Sequence, residues 1–310
     1  MRPMPQLFRA EREKGNLMSS LKEAILTEEK NRIEKGTLYL VATPIGNLAD
    51  LSERAIKVLS EVDFIAAEDT RNSMRMLSHL DIHRPMVSYF EHNKRERGEQ
   101  IAARLAAGES CALITDAGTP AISDPGEDLV ALCAERGIPV TSVPGPVASI
   151  TALTLSGLPT GRFTFEGFLS TNKADRRERL AELADETRTM LFHEAPHKLR
   201  TTLADLLATF GEDRRIAICR ELTKKNEEIL RLTLADAVAY YTEKDPRGEY
   251  VLVVEGTSQK KASPDAFWKA WDIPQHVAHY LSTGLTKSEA VKQVAKERGM
   301  QKNDVYKEVF

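Results

Sequence analysis

Short apolar runs alternate with amphipathic stretches along most of the chain. From Thr37 onward, runs such as LYLVAT, FIAAE, CALITD and PVTSV are separated by segments with helical periodicity, such as LSERAIKVLSEV and EDLVALCAERG. Short apolar strands that alternate with helices are typical of an α/β domain with a largely parallel sheet. The pattern pauses at SGLPTGR and resumes in a second series that runs from FTFEGFL to EYVLVVEG.

These changes of pattern divide the chain into four parts. Residues 1–36 are charged and weakly patterned, which predicts a mobile extension with a frayed helix around Leu17–Ile33. Residues 37–157 and 158–257 are predicted to form two α/β domains. Residues 258–310 begin with a polar linker and then show only helical periodicity. The predicted fold class is therefore α/β, with two such domains and a small helical domain at the carboxyl end.

Composition and charge exclude several classes of protein. The net charge is −3 over 310 residues, so any nucleic acid must be bound by local basic patches. No apolar run approaches the ~20 residues of a membrane-spanning helix, and the N-terminus lacks a secretory apolar region. The three cysteines are far apart, which predicts buried thiols in a reducing compartment. These features predict a cytoplasmic protein that does not act at a membrane.

Three loops share one design, because each follows an apolar strand and opens a helix. They read ATPIGNLADLSERA, DAGTPAISDPGEDL and VPGPVASITAL. Glycine permits a close approach of the backbone and proline fixes φ, so such loops present rigid backbone groups. A single loop of this kind is most simply a turn. Three at the carboxyl ends of neighbouring strands favour a ligand cleft.

Several familiar ligand motifs are absent from the sequence. It contains no G-x-x-x-x-G-K-[ST], no G-x-G-x-x-G after a strand and no G-x-S-x-G. HEAPH, from His193 to His197, matches H-E-x-x-H, but Pro196 lies inside it and an apolar strand leads into it. Proline favours the first turn of a helix, so a helix beginning near Pro196 leaves His193 and Glu194 at a strand end. No metal site is predicted.

Several longer motifs together carry a specific resemblance. They are GTLYLVATPIGNLADLSERA, AAEDTR, ITDAGTPAISDPG, VPGPVASITAL, EGFL, HEAPHKL, RELTKKNEE and GEYVLVVEG. Over residues 36–256 the chain closely resembles the bacterial 16S ribosomal RNA cytidine-2′-O-methyltransferases of the tetrapyrrole methylase superfamily. The resemblance implies a homodimer with S-adenosylmethionine (SAM) bound between two α/β domains. It also implies methylation of the ribose of a decoding-centre cytidine in 16S rRNA, within the assembled small ribosomal subunit.

The resemblance also implies which residues hold the cofactor. The second loop would contact the cofactor through its backbone, and the first loop would form one wall of the site. The second domain would close over the cofactor from the other side. The residues so implied are Pro44, Gly46, Asp116, Ala117, Gly118, Ile122, Thr151, Phe192, Glu194, Pro196, Leu222 and Val251.

The ribose 2′-hydroxyl is a weak nucleophile, so a general base or an orienting group is expected near it. Acidic residues at strand ends are the candidates, and they are Glu68, Asp69, Glu194 and Glu221. Lys224 is the candidate for a group that orients or balances charge. Asp69 also has the position of a helix cap, and the two roles are compatible.

Basic segments near strand–helix junctions are candidates for RNA contact. The alternative is that each is an ordinary solvated helix face. The candidate residues are Arg71, Lys94, Arg95, Lys173, Arg176, Arg177 and Lys225.

The carboxyl-terminal helices carry a local positive charge. From Gln259 to the end there are nine Lys and Arg against six Asp and Glu. Thr286 and Glu289 have capping-box spacing, and the residues that follow fit a helix-turn-helix rhythm. This domain either docks on RNA or the ribosome, or serves only as a packing module.

Two other functions remain open from the sequence. One is the methylation of a tetrapyrrole or another small molecule, which the same fold supports but which does not explain the basic tail. The other is a non-catalytic ribosome assembly factor, against which the three well-formed cleft loops argue.

Overall fold

The structure is a computed structural model, and it describes residues 32–258 and 267–309. Most of the extension predicted at residues 1–36 therefore lies outside the described residues. The chain divides into two compact units between Gly256 and Thr257. Within the described ranges, no helix is both long enough and apolar enough to cross a membrane.

The first unit begins with a five-stranded parallel sheet. Its strands are β1 Leu38–Val41, β2 Phe64–Ala67, β3 Met86–Ser88, β4 Cys111–Ile114 and β5 Val140–Val143. Their order is β3-β2-β4-β1-β5, and every neighbouring pair is parallel. The connecting helices are α1 Glu53–Glu61, α2 Thr70–His79, α3 Lys94–Ala106, α4 Gly126–Glu135 and α5 Ala148–Ser156, with a 3-10 turn at Leu48–Asp50.

Apolar helix faces cover both sides of this sheet. Leu59 on α1 belongs to one apolar layer, and Ile101 on α3 and Leu129 on α4 belong to the other. The strands β2 and β4 are buried along their whole length, which explains their continuous apolar sequences. Local capping fixes where α1 starts, because Ser52 Oγ accepts the N–H of Ala55 at 3.1 Å.

The second domain of this unit contains a mixed sheet. Its strands are β6 Phe163–Phe168, β7 Thr189–Glu194, β8 Arg215–Arg220, β9 Glu228–Thr233 and β10 Tyr250–Val254. The order is β6-β7-β10-β8-β9; β6 and β7 are parallel and the other pairs are antiparallel. The helices are α6 Lys173–Leu183, α7 Leu199–Phe210 and α8 Leu234–Glu243.

The edge strand β9 is absent from the strands that the sequence pattern predicts. Its sequence, EILRLT, places Glu228 and Arg231 among apolar residues, and every residue in it is at least partly exposed. An edge strand that is open on one side gives only a weak apolar pattern. The fold class predicted from the sequence, two α/β domains followed by helices, is nevertheless confirmed.

The second unit contains helices. A 3-10 turn at Phe267–Ala270 precedes α9 Ile273–Ser282, α10 Lys287–Arg298 and α11 Lys302–Val309. Thr286 and Glu289 form the predicted capping box at the start of α10. Gly299 then ends α10 in a left-handed conformation with φ of 65°. Val277, Val294 and Val305 join the three helices in one small apolar core.

No disulfide bond joins the three cysteines within the chain. Cys111, Cys133 and Cys219 are buried and free. Burial raises the pKa of the Cys133 and Cys219 thiols to about 11, so both are protonated at neutral pH. The prediction of buried thiols is confirmed.

Candidate active site

Three loops of the first domain meet at one edge of its sheet. They follow β1, β4 and β5, which are parallel neighbours, so their carboxyl ends lie side by side. Thr43 and Gly118 are joined by two backbone hydrogen bonds of 2.9 and 3.1 Å. Thr119 Oγ1 donates to the carbonyl oxygen of Pro146 at 3.1 Å. The predicted convergence of the three loops is therefore confirmed.

One carboxylate holds the second of these loops in shape. Asp124 Oδ1 accepts the N–H groups of Ala121 at 3.0 Å and Gly126 at 2.7 Å, and Oδ2 accepts that of Ile122 at 3.2 Å. Ala121 and Ser123 have φ angles of 66° and 60°, a left-handed conformation that costs a non-glycine residue about 1–2 kcal/mol. The hydrogen bonds of Asp124 offset this strain and turn the side chain of Ile122 toward the cleft.

The second domain supplies the opposite wall. His193 and Glu194 end β7, Val251 pairs with His193 from β10, and Leu222 follows β8. The two walls enclose a cavity of about 650 Å³, which is a typical size for a small-molecule site. Its lining consists of Ile45, Thr115 to Thr119, Ile122, Val147 to Ser149, Phe168, His193 to His197, Cys219, Leu222 and Glu249 to Val251.

The cavity has an acidic lining. Asp116, Glu194 and Glu249 are part of it, and the described residues of its wall include no lysine or arginine. Lys224 lies just behind the wall, with Nζ 2.8 Å from Glu249 and 2.9 Å from Glu221. Burial opposes the charge on Lys224, but these hydrogen bonds outweigh burial and raise its pKa. Asp116 thus remains as an exposed carboxylate without a lysine or arginine in the lining, which suits a ligand that carries positive charge.

Most of the residues implied to hold the cofactor line this cavity. They are Asp116, Ala117, Gly118, Ile122, Glu194, Pro196, Leu222 and Val251. The backbone N–H of Gly118 donates to Thr43, however, and that of Ile122 donates to Asp124. These two residues therefore shape the wall, and their N–H groups are already engaged within the protein. Cofactor contact by the backbone of this loop stays a prediction.

Pro44, Gly46, Thr151 and Phe192 are not among the residues that line the cavity, and cofactor contact by them stays a prediction. Gly46 is a point of contact between the two domains, since a Cβ there would lie 3.0 Å from the carbonyl oxygen of Leu222. Phe192 is fully buried in the core of the second domain. Because side chains alternate along a strand, its neighbour His193 faces the cavity instead.

His193 is a cavity residue that the sequence reasoning considered only as a zinc ligand. It lies in β7 while His197 lies in the turn before α7, so the two do not share a helical face. Among the described residues, no cluster of His, Cys, Asp and Glu is arranged to hold a metal ion. Burial lowers the pKa of His193, which keeps the imidazole neutral at pH 7. Its Nε2 is buried and has no hydrogen-bond partner.

Asp69 serves as the cap of α2. Its Oδ1 accepts the N–H of Arg71 at 2.8 Å, and the two side chains form an ion pair at 2.9 Å. Hydrogen bonds from Arg71 lower the pKa of Asp69 to about 2, so it is a poor proton acceptor at neutral pH. The neighbouring Asn72 still reaches the cavity loop and donates to Asp116 Oδ2 at 3.3 Å. The capping role is confirmed, and a catalytic role stays a prediction.

Glu194 is held by a buried network. It is 4% exposed and accepts the N–H of Ala195 at 2.8 Å and the hydroxyl of Thr202. Arg176 donates to the same hydroxyl at 3.1 Å and forms an ion pair with Asp205 at 2.7 Å. Arg176 is itself only 7% exposed. Its burial corrects the predicted RNA contact and favours a structural role behind Glu194.

The other cations predicted to contact RNA lie at or near the carboxyl edges of the sheets. Exposed positions are held by Arg71, Arg95, Lys173, Arg177 and Lys225, whereas Lys94 is half-buried and paired with Glu91 and Asp128. The helices α2, α3 and α6 begin directly after β2, β3 and β6, which are parallel to the strands whose ends form the cavity. This topology puts the helix starts at the cavity's edge of each sheet. RNA contact by these residues stays a prediction.

Comparison with protein families identifies a match over most of the chain. Residues 37–238 match the family model described as Tetrapyrrole (Corrin/Porphyrin) Methylases. The chain is 48% identical to "Ribosomal RNA small subunit methyltransferase I" of Halalkalibacterium halodurans over 277 residues, 89% of this chain and 96% of that protein. Proteins of the same name from Synechocystis and Bacillus subtilis are 45% and 43% identical, over 87% and 88% of this chain and 96% and 94% of theirs.

Solved structures show the same fold at much lower identity. Uroporphyrin-III-C-methyltransferase from Thermus thermophilus aligns with a TM-score of 0.52 and 19% identity, over 71% of this chain and 94% of that one. A structure of the Thermus enzyme complexed with S-adenyl homocysteine aligns with a TM-score of 0.50 and 19% identity, over 70% of this chain and 96% of that one. At this identity the likeness concerns the fold alone.

Proposed function

The chain belongs to the tetrapyrrole methylase family, and from this premise we propose that it transfers a methyl group from SAM to the ribose 2′-hydroxyl of a cytidine in 16S ribosomal RNA. The observation that carries the proposal is the near full-length similarity to proteins named as methyltransferases of small-subunit ribosomal RNA. The proposed target is a decoding-centre cytidine in the assembled small subunit, as the sequence motifs imply.

The residues of the cavity fit the proposed cofactor. SAM supplies an electrophilic methyl carbon on a positively charged sulfur. The carboxylate of Asp116, exposed at the cavity wall, provides a negative environment for its cationic groups. Ile45, Leu222 and Val251 form an apolar wall that suits an adenine ring. The size of the cavity agrees with burial of a ligand of this kind.

Positioning dominates the proposed mechanism, because methyl transfer is an in-line displacement at carbon. The 2′-hydroxyl would lose its proton as its oxygen is methylated, so a residue of this chain would have to accept or direct that proton. Glu194 borders the cavity, but it is only 4% exposed and its carboxylate is bonded to Thr202 and Ala195, so we assign it an orienting role at the end of β7. Asp69 contributes instead by fixing the start of α2 beside Asp116. Lys224 balances the charge of Glu249 at the cavity wall.

The acidic cavity argues against the alternative of a tetrapyrrole methylase. Biosynthetic tetrapyrroles carry several carboxylates, and the described wall of this cavity has no lysine or arginine to meet them. The solved tetrapyrrole enzymes share only the fold with this chain. An RNA substrate also accounts for the exposed Lys292 and Lys296, which lie one turn apart on α10. We place the reaction in the cytoplasm and the enzyme in a homodimer, with the carboxyl-terminal helices as an RNA-docking unit.

Transfer of labelled methyl groups from SAM tests the proposal. Small subunits that lack the modification are compared with free 16S rRNA and with a tetrapyrrole precursor, and the labelled nucleotide is then mapped. Label on a single 2′-O-methylcytidine in the small subunit is the expected result. Label on the tetrapyrrole, or none on RNA while the protein still binds SAM, would refute it.

A pair of matched variants ties the activity to the cavity. Asp116→Asn removes a carboxylate from the cavity wall. Asp213→Asn changes an exposed carboxylate in the turn before β8, at the strand end remote from the cavity. The first substitution is expected to reduce methyl transfer and the second to leave it unchanged.

A further inference from the structure

An exposed aromatic ring lies at the wall of the cavity. Phe168, the last residue of β6, lines the cavity and is nevertheless 58% exposed, the highest exposure of any large apolar side chain that the structure describes. Exposure of an aromatic ring to water is unfavourable by about 25 cal/mol per Å² of apolar surface. A ring that stays exposed in a binding cleft is therefore a candidate contact for a ligand.

An irregularity of the sheet places Phe168 on this face. Phe165 pairs with Leu191 but Gly167 pairs with Phe192, so one extra residue is inserted between β6 and β7. Side chains alternate along a regular strand, so residues three apart would face opposite sides. The inserted residue cancels one alternation, and Phe165 and Phe168 both lie against His193. Bulges next to active sites commonly redirect a side chain in this way.

Contacts on both sides of the bulge hold it in place. Glu166, the inserted residue, is bonded to Arg179 of α6 at 2.6 and 3.0 Å. Gly167 has a φ of 61°, and a Cβ there would lie 3.1 Å from Ser123 Oγ in the loop held by Asp124. Glycine thus allows β6 to approach the cavity loop closely. Phe168 and the cavity loop are consequently fixed relative to each other.

His193 fixes the plane of the Phe168 ring. The His193 ring meets both phenylalanines edge to face, with centroid separations of 5.2 Å to Phe165 and 5.4 Å to Phe168. Such pairs add about 0.5–1.5 kcal/mol to the burial of the rings. The neutral imidazole described above adds no charge to this aromatic cluster. One face of the Phe168 ring can therefore contact a ligand while His193 holds the ring in its orientation.

We infer that Phe168 is the platform on which a nucleobase of the RNA substrate stacks when its ribose enters the cavity. The inference rests on the proposed function, since it takes the substrate to be RNA. A nucleotide that reacts inside an enzyme cleft must leave its own stack, and proteins compensate by stacking the base on an aromatic ring. Lys173 and Arg177, both exposed, begin the helix that follows Phe168 and suit the adjoining phosphates.

The test compares four variants of the full chain. Phe168→Ala and Phe168→Leu remove the aromatic face, whereas Phe168→Tyr retains it. Phe163→Ala is the matched control, because Phe163 is an exposed phenylalanine of the same strand that does not line the cavity. Each is assayed for kcat/KM with unmodified small subunits, for SAM affinity by calorimetry, and for sedimentation behaviour.

Loss of stacking is expected to lower kcat/KM by roughly 10- to 100-fold in the alanine and leucine variants, with SAM affinity unchanged. The tyrosine variant and Phe163→Ala should stay within about threefold of the unchanged protein, since stacking tolerates any aromatic ring. The inference is overturned if leucine supports normal activity, if alanine has no effect, or if alanine alters the sedimentation coefficient instead. Failure of the unchanged protein to methylate RNA would refute the proposed function itself, which keeps the two outcomes separate.

Discussion

Replacement of Asp124 by alanine is expected to weaken SAM binding while the protein stays folded. Asp124 accepts three backbone N–H groups within its own loop and is only partly buried. Hydrogen bonds to a charged group contribute about 1.5–3 kcal/mol each. Water replaces part of that contribution at an exposed loop, so the three bonds together stabilise the loop by well under their sum. Among the described residues, the hydrogen bonds of this carboxylate reach only this loop and the first residue of α4.

The magnitude follows from the strain that Asp124 offsets. Left-handed φ angles at Ala121 and Ser123 cost about 2–4 kcal/mol together. In the alanine variant this strain is no longer opposed, and the loop relaxes to other conformations. Binding must then restore the organised loop, and at 1.4 kcal/mol per tenfold the dissociation constant rises by at most roughly 30- to 700-fold. Partial compensation by water lowers the expected loss to about 10- to 100-fold.

Calorimetric titration with SAM measures this effect. Three proteins are compared with the unchanged chain: Asp124→Ala, the double variant Asp124→Ala/Ala121→Gly, and Ala121→Gly alone. Glycine removes one left-handed cost of about 1–2 kcal/mol, so the double variant should regain roughly 5- to 30-fold in affinity. Circular dichroism shows whether each variant is folded. Binding by Asp124→Ala within twofold of the unchanged protein, or a double variant no better than the single one, would refute the reasoning.

Three further predictions concern the domain contact, the buried arginine and the effect of pH. Gly46→Ala should lower the free energy of unfolding by about 1–3 kcal/mol in urea titrations, because its Cβ would press on a backbone oxygen of the second domain. Arg176→Met should destabilise the protein by a similar amount, whereas the same change at the exposed neighbour Arg177 should leave stability within about 0.5 kcal/mol. Burial outweighs the attraction of Glu249 and holds the pKa of His193 below its usual 6.5, so protonation favours the unfolded state. Stability should therefore fall as the pH drops below about 6.5, and this part of the loss should vanish in His193→Gln; equal acid sensitivity of the two proteins would contradict it.

Local sequence was sufficient for the order of the elements and for the position of the cleft. The strand–loop–helix pattern identified the three loops, because glycine and proline after a buried strand leave few other structures. Pro196 separated His193 from a helical metal motif for the same local reason. The cap at Asp69 and the capping box at Thr286 depend on residues two or three positions away. Such features can be predicted from the sequence because the interacting groups are close together along the chain.

Contacts between segments that are distant in the sequence could not be predicted from the strand–loop–helix pattern. Arg176 and Arg177 look alike in the sequence, yet one is buried beside Thr202 while the other is exposed. The weakly patterned strand β9 exists because β8 offers it a paired edge. Side-chain alternation along β7 could have placed His193 opposite Phe192, but only the sheet shows which of the two faces the cavity.

The chain by itself therefore determined the α/β class, the loops that form the cleft and the family to which its motifs belong. Tertiary structure alone decided which charges are buried, that Gly118 and Ile122 have engaged N–H groups, and that Phe168 is turned to the cavity. The physical reason is the separation along the chain between the groups that interact. Periodicity, caps and turns arise from neighbours along the chain, whereas burial, sheet register and the bulge at Gly167 arise from packing between segments that only the fold brings together.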